Sequence, residues 1–292
     1  MSNPRVPYEM YTDRKPLAPL KGKPIMAHVV VNVEHWPFDQ AMPRAAIPAP
    51  HGKSPIPDVG NFAWVEYGMR VGMPRLLRII GDRGLKASTF MNASCADVYA
   101  ACAEAMLNAG WEFVGHGWVQ RSLQFEEDEA AVIGRSLDKL HRLTGKKVRG
   151  WFGPGVGESF DTPDVLKTAG IEWLADWFID DLPCWMRTKH GPLIAMPYTL
   201  ELNDVPLYVV QQQPSEEMYR RLEMTLRTFD IESRTHPKVL TIALHPHVMG
   251  VPHRADVLAR CLDLLLARDD VVFVTGSEIA DWFVAEEEKT GA

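Results

Sequence analysis

A short apolar run followed by a helical stretch recurs about seven times along this chain, and that alternation limits its fold more than any other feature. Strands that alternate with helices pair in parallel, with the helices packed over the sheet. The apolar runs fall at 25–33 (IMAHVVVNV), 85–91, just before His116, 148–152, 171–177, just before Pro197, 240–244 and 271–274. Helical patterns occupy 68–81, 97–109, 126–143, the stretch from Thr162 to Gly170, 215–229, 255–267 and 276–283. Neither a GxGxxG nor a Walker sequence is present, so nothing points to a nucleotide fold. Glu34, His116, Asp176 and His245 each lie just past a strand, where α/β barrels build their active sites. The reading is therefore one closed or nearly closed barrel domain over 25–285, with a proline-rich arm at 1–24 and a tail at 286–292. The stretch 37–63 holds six prolines from Pro37 to Pro57 and reads as a long irregular loop.

The 292 residues carry a net charge of −7 and no long basic run, which argues against nucleic acid or an anionic membrane as partner. Cys95, Cys102, Cys184 and Cys261 show no CxxC spacing and read as reduced thiols. The N-terminal stretch lacks an apolar core of signal-peptide length, and no window approaches the roughly 18 apolar residues of a membrane span. A cytoplasmic protein is expected, which speaks against an extracellular polymer as substrate.

The polar residues at strand ends carry the chemistry. Gly115-His116-Gly117 delivers one imidazole between two glycines. In a His-x-x-x-His pattern the second ligand would stand at position 120, but Gln120 is there, and a neutral amide is a poor zinc ligand. Glu34-His35 places a carboxylate beside an imidazole, suited to a base, a ligand or a rim ion pair. His245-Pro246-His247 holds two rings in a stiff turn, fit for acid catalysis, substrate binding or metal ligation. Arg149 is read as orienting a carboxylate or as an ordinary surface arginine, and Asp180-Asp181 as base, ion-pair partner or cap. Trp36, Trp118, Trp151, Trp177 and Trp185 fall at or after strand ends and are expected to wall a flat apolar pocket, or individually to be core.

These residues, in this order, resemble the polysaccharide-deacetylase family. The motifs are Asn32-Val33-Glu34, His116-Gly117-Trp118-Val119-Gln120, the run from Arg149 to Pro154, and Leu244-His245-Pro246. The resemblance implies an α/β fold, a distorted (β/α) barrel of about seven repeats, and hydrolysis of an amide C–N bond. Within the family the chain is most similar to a cytoplasmic subgroup that includes cofactor-independent allantoinases and cyclic imide hydrolases. The runs that carry this are Asp180-Asp181-Leu182-Pro183-x-Trp185, Pro197-Tyr198-x-x-x-x-Asn203-Asp204 and His245-Pro246 through Arg254. Metal-dependent members carry an Asp pair and a second His where this chain has Asn32, Glu34 and Gln120.

The expected function is hydrolysis of a ring C–N bond in a small cyclic amide, an imide or a hydantoin-type ring such as allantoin. Glu34 or a neighbouring histidine takes the proton of water, and His245 protonates the leaving nitrogen or steadies the oxyanion, with His116 and His247 completing the catalytic set. His35, Trp36, Trp118, Gln120, Gly153, Pro154, Trp177, Asp181 and Trp185 are the expected substrate contacts. No cofactor is expected, although a weakly bound zinc on His116 with Glu34 stays open. The alternatives are a metal-dependent N-deacetylase of an acetylated sugar and a non-catalytic barrel that binds a small ligand. The arm and the 37–63 loop suggest a homo-oligomer, and the resemblance implies a tetramer.

Overall fold

The computed structural model describes residues 3–290; residues 1 and 2 of the arm and the last two of the expected tail lie outside them. Nine strands form one curled sheet, an open half-barrel. They are β1 (Ile25–Val33), β2 (Ser88–Met91), β3 (Glu112–Gly115), β4 (Gly150–Trp151), β5 (Trp173–Leu174), β6 (Cys184–Met186), β7 (Leu193–Ala195), β8 (Lys238–Leu244) and β9 (Val271–Phe273). Their order is β6-β7-β5-β4-β3-β2-β1-β8, with β9 paired to the start of β1. All pairs are parallel except β6 with β7. Irregular backbone finishes the curl: Val239 N–H donates to Asp181 O at 2.9 Å and Ala243 N–H to Leu202 O at 3.0 Å. Among the described residues no helix is long and apolar enough to cross a membrane.

Strand side chains alternate between the two faces of a sheet, and that alternation sorts this chain into layers. Along β1, Ile25, Ala27, Val29, Val31 and Val33 join the cluster packed under the helices, whereas Met26 and Val30 join the cluster inside the curl. The even positions therefore carry His28, Asn32 and then Glu34 to the interior. Phe90 of β2, Val114 of β3 and Ala243 of β8 share that interior. The register opposes Val33 to Met91, Met91 to Gly115 and Gly115 to Trp151. Glu34, Asn92, His116 and Phe152 thus follow in one row at the top of the curl.

Five elements differ from expectation. The 37–63 stretch is not irregular to its end. A helix starts at Val59–Tyr67, passes through a π-helical turn at Gly68–Gly72 and continues as Met73–Gly81. Pro74 cannot donate to the turn before it, and the wider π turn accommodates that loss. The strands of 148–152 and 171–177 shrink to two residues each, and β6 was not foreseen. Thr162, expected as the N-cap of its helix, is instead the first helical residue; Asp161 holds the N-cap position, with no side-chain hydrogen bond to the helix.

Candidate active site

Four strand ends meet around a cavity of about 200 Å³ whose walls include Glu34, Trp36, Gln120, Tyr198, His245 and His247. A wider groove of about 550 Å³ beside it is lined by Glu9, Asp180, Asp181 and Glu201 but by no imidazole, so the smaller cavity holds the reactive groups.

Glu34 is buried at the end of β1. Its Oε2 accepts from Trp36 Nε1 at 2.7 Å, and its Oε1 stands 3.5 Å from His245 Nε2 and 3.8 Å from His116 Nε2. Burial alone would raise this carboxyl, but the imidazoles of His116 and His245 beside it, the second of them charged, hold it well below the usual carboxylate range. Glu34 is therefore ionised.

His245 follows β8. Its Nδ1 donates to Asp204 Oδ1 at 2.7 Å, and its backbone N–H to Asp204 Oδ2 at 2.6 Å. Burial opposes charge on the ring, but Asp204 on one side and Glu34 on the other outweigh it and push His245 up to about 10. Burial also raises Asp204, against the pull of His245. With both carboxylate oxygens engaged by His245 donors, the pair rests as imidazolium and carboxylate.

His116 Nδ1 bonds to Phe152 O at 2.7 Å. A carbonyl only accepts, so Nδ1 carries the hydrogen and Nε2 is left aimed at Glu34, buried and without a hydrogen-bond partner. The ring stacks on Phe152 with centroids 5.2 Å apart. His247 sits edge-on to Trp64 and Trp36, centroids 4.5 and 5.7 Å away, and burial lowers it to about 3. Gly68 and Gly72 make its seat: a Cβ on Gly68 would strike the His247 backbone, and one on Gly72 the Pro246 carbonyl.

Gln120 lines the cavity, its N–H bonded to His35 O at 3.0 Å and its Oε1 3.3 Å from Asn92 Nδ2. Asn92 also donates to His116 O and accepts from His35 N–H at 2.9 Å. It ties the three loops together.

The expected tryptophan rim is not there. Trp36 lines the cavity. Trp118 lies under Arg135, 4.6 Å from its guanidinium. Trp177 donates to Glu158 at 3.0 Å, and Trp185 packs on Phe283 at 5.2 Å. Trp151 is fully buried on the helix side, because alternation turns it away from Phe152. His35 turns to Ser94 at 2.8 Å, and Asp181 pairs with Lys238 at 3.0 Å. Gly153 gives its N–H to Asp176 at 2.7 Å, so it is no donor to a substrate. Pro154 packs toward Gly117, and the next two residues, Gly155 and Val156, reach the cavity instead. Arg149, at the opposite end of its strand, pairs with Glu172 at 2.6 Å and Asp281 at 2.5 Å.

The sequence reading gave no role to Asp204, Tyr198, Asn203, Asn92 or Arg44. Tyr198, Asn203 and Asp204 stood in motifs already picked out, and that was the available signal. Among the described residues Arg44 is the one arginine or lysine that lines the cavity.

The donor set does not fit a tetrahedral zinc, which needs three or four N, O or S ligands. Glu34 and His116 face each other, but the third neighbour is the imidazolium of His245, and Gln120 is bonded to Asn92. Among the described residues no group of three His, Cys, Asp or Glu is placed to hold a metal.

Residues 64–174 match the polysaccharide deacetylase family. A peptidoglycan deacetylase of Helicobacter pylori is 21% identical over 253 residues, covering 75% of this chain and 85% of that protein. The crystal structure of PuuE allantoinase superposes with a TM-score of 0.84 at 22% identity, covering 94% of this chain and 95% of that one. A structure from Pseudomonas aeruginosa PAO1, named a probable polysaccharide deacetylase, gives 0.82 at 24% identity and covers 94% and 96%. At these identities the structural likeness is one of fold.

Proposed function

For a chain whose residues 64–174 match the polysaccharide deacetylase family, we propose hydrolysis of a ring C–N bond in a small cyclic amide, a cyclic imide or hydantoin-type ring, without a tightly held metal. The observation that carries this reading is the Asp204–His245–Glu34 relay at the edge of a cavity of about 200 Å³. That volume is below the roughly 300–1,000 Å³ of pockets for drug-sized ligands, and it suits a single small ring.

Water attacks a ring carbonyl, and Glu34, ionised and facing the cavity, takes its proton. The C–N bond breaks as His245, already charged, gives its proton to the departing nitrogen. The product is an open-chain acid that bears an amide or urea. Water supplies the oxygen and both hydrogens of the balance: the proton taken up by Glu34 passes to His245 Nε2, 3.5 Å away, which restores both groups while Asp204 holds the ring. An imide nitrogen leaves readily because its charge spreads into a second carbonyl, which lessens the demand for a Lewis acid. His247 lines the reacting space as a neutral ring, and His116 stands behind Glu34, 3.8 Å from its Oε1. The same reading takes the enzyme as a cytoplasmic homotetramer, its subunit count checked by light scattering.

The test is turnover after exhaustive chelation, followed with succinimide, an aryl imide, hydantoin and allantoin. Ring opening that survives chelation is the expected result, and the best ring sets the substrate class. Loss on chelation with recovery by zinc overturns the metal-free reading. Turnover of an N-acetylated sugar in place of the rings moves the protein to the deacetylases.

A further inference from the structure

The geometry points to Tyr198 as the hydrogen-bond donor that receives the ring carbonyl oxygen as it becomes an oxyanion; the inference rests on the ring-hydrolase reading and names a catalytic residue for it. Tyr198 follows β7, is 3% exposed and lines the cavity beside His245. Its ring is fixed by Phe152 and Phe90, with centroids at 4.5 and 5.8 Å.

Its hydroxyl is unusual in what it accepts. Asn32 Nδ2 and Asn203 Nδ2 both donate to Tyr198 Oη at 3.1 Å. Neither amide is free to turn over. Asn203 Oδ1 accepts Val205 N–H at 3.1 Å, and Asn32 Nδ2 also donates to Leu244 O at 3.3 Å. A phenolic oxygen has room for two incoming hydrogen bonds and one outgoing. Both acceptor positions are taken, so all that Tyr198 has left to offer is its own proton. Among the described residues no acceptor is bonded to that proton. A buried donor without an acceptor is costly, and the cavity is where one can arrive.

Three consequences follow for the ligand. A hydroxyl that can only donate selects a carbonyl oxygen at that position and rejects an N–H. Two N–H donors behind the oxygen polarise the O–H and strengthen it as a donor when negative charge develops in front of it. Burial raises the phenol above its ordinary value, so it remains a neutral donor at neutral pH. The hydroxyl keeps its proton throughout, and no covalent step is assigned to it.

Tyr198→Phe keeps the ring and deletes the donor. On succinimide or hydantoin, whichever the wild-type enzyme opens, we expect kcat to fall about 100- to 1,000-fold with KM changed only a few-fold, the pattern of a lost oxyanion donor. Because Asn32 and Asn203 then lose an acceptor, thermal melting is measured beside it. A second variant carries 3-fluorotyrosine at position 198, which keeps shape and hydrogen bonding but makes the phenol more acidic. Because the donor is kept, its kcat is expected to stay within a few-fold of the wild type. Wild-type kcat in folded Tyr198→Phe, or a loss of kcat with the fluorinated ring as large as that with phenylalanine, overturns the assignment and leaves the ring-hydrolase reading intact. A wild-type enzyme that opens no ring overturns that reading and the assignment with it.

Discussion

Glu34 Oε1 lies 3.5 Å from His245 Nε2, with both residues buried and both charged in the direction that hydrolysis needs. Each is therefore required in its own protonation state. Glu34→Gln removes the base and leaves an amide of the same shape; His245→Ala removes the acid. Each is expected to lower kcat by about 100- to 10,000-fold, the usual worth of positioned acid–base catalysis. The double variant should lose little more than the worse single one, since the two act as a unit. Steady-state rates on the preferred ring check this, and near-normal kcat in either single variant would remove that residue from the mechanism.

The pH profile follows from the same pair. Glu34 is held ionised well below neutrality, and His245 is pushed up to about 10. Activity should be flat through neutral pH and fall as pH rises through about 10, when His245 loses its proton. Burial works against that charge and Asp204 is the largest influence that favours it. Removing the Asp204 charge must therefore lower His245, so Asp204→Asn should move the falling limb to lower pH. A limb that stays in place in this variant would show that another group sets it.

The passage of the 59–81 helix under the His245–Gly250 turn has no spare volume. A Cβ on Gly72 would meet the Pro246 carbonyl and the Gly250 backbone. Gly72→Ala is expected to destabilise the fold by about 1–3 kcal/mol, the cost of overpacking a tight contact, and to lower kcat through displacement of His247. Urea unfolding measures the first effect; an unchanged midpoint would mean that the crossing yields.

The strand-end groups were legible because two local rules place them. A β-branched run marks β1, and alternation along it sends Asn32 and Glu34 inward with Met26 and Val30. The same rule, applied with the right phase, turns Trp151 outward and Phe152 inward; with strand ends misplaced by a residue or two, the tryptophans looked like one rim. Asp204 and Tyr198 were harder. They arrive from irregular backbone after β7 and reach partners 41 residues away at His245 and 166 away at Asn32. No periodicity encodes such contacts, and only the curl of the sheet brings them together. The π turn at Gly68–Gly72 was hidden for a related reason: 68–81 reads as one helix, whereas the glycines at its start answer to the packing of the next layer.

The interlocked glycines at 68, 72 and 250 also divide the molecule by how it can change over time. They fasten the helix and the histidine turn so closely that neither shifts without the other, so the floor that bears His245 and His247 is a single rigid casting. The walls are of another kind. Arg44, Gly155, Val156 and Leu200 come from connecting segments between regular elements, where substitutions and insertions are tolerated. A lineage built on this frame can trade one ring for another by editing its walls while the chemistry beneath stays fixed.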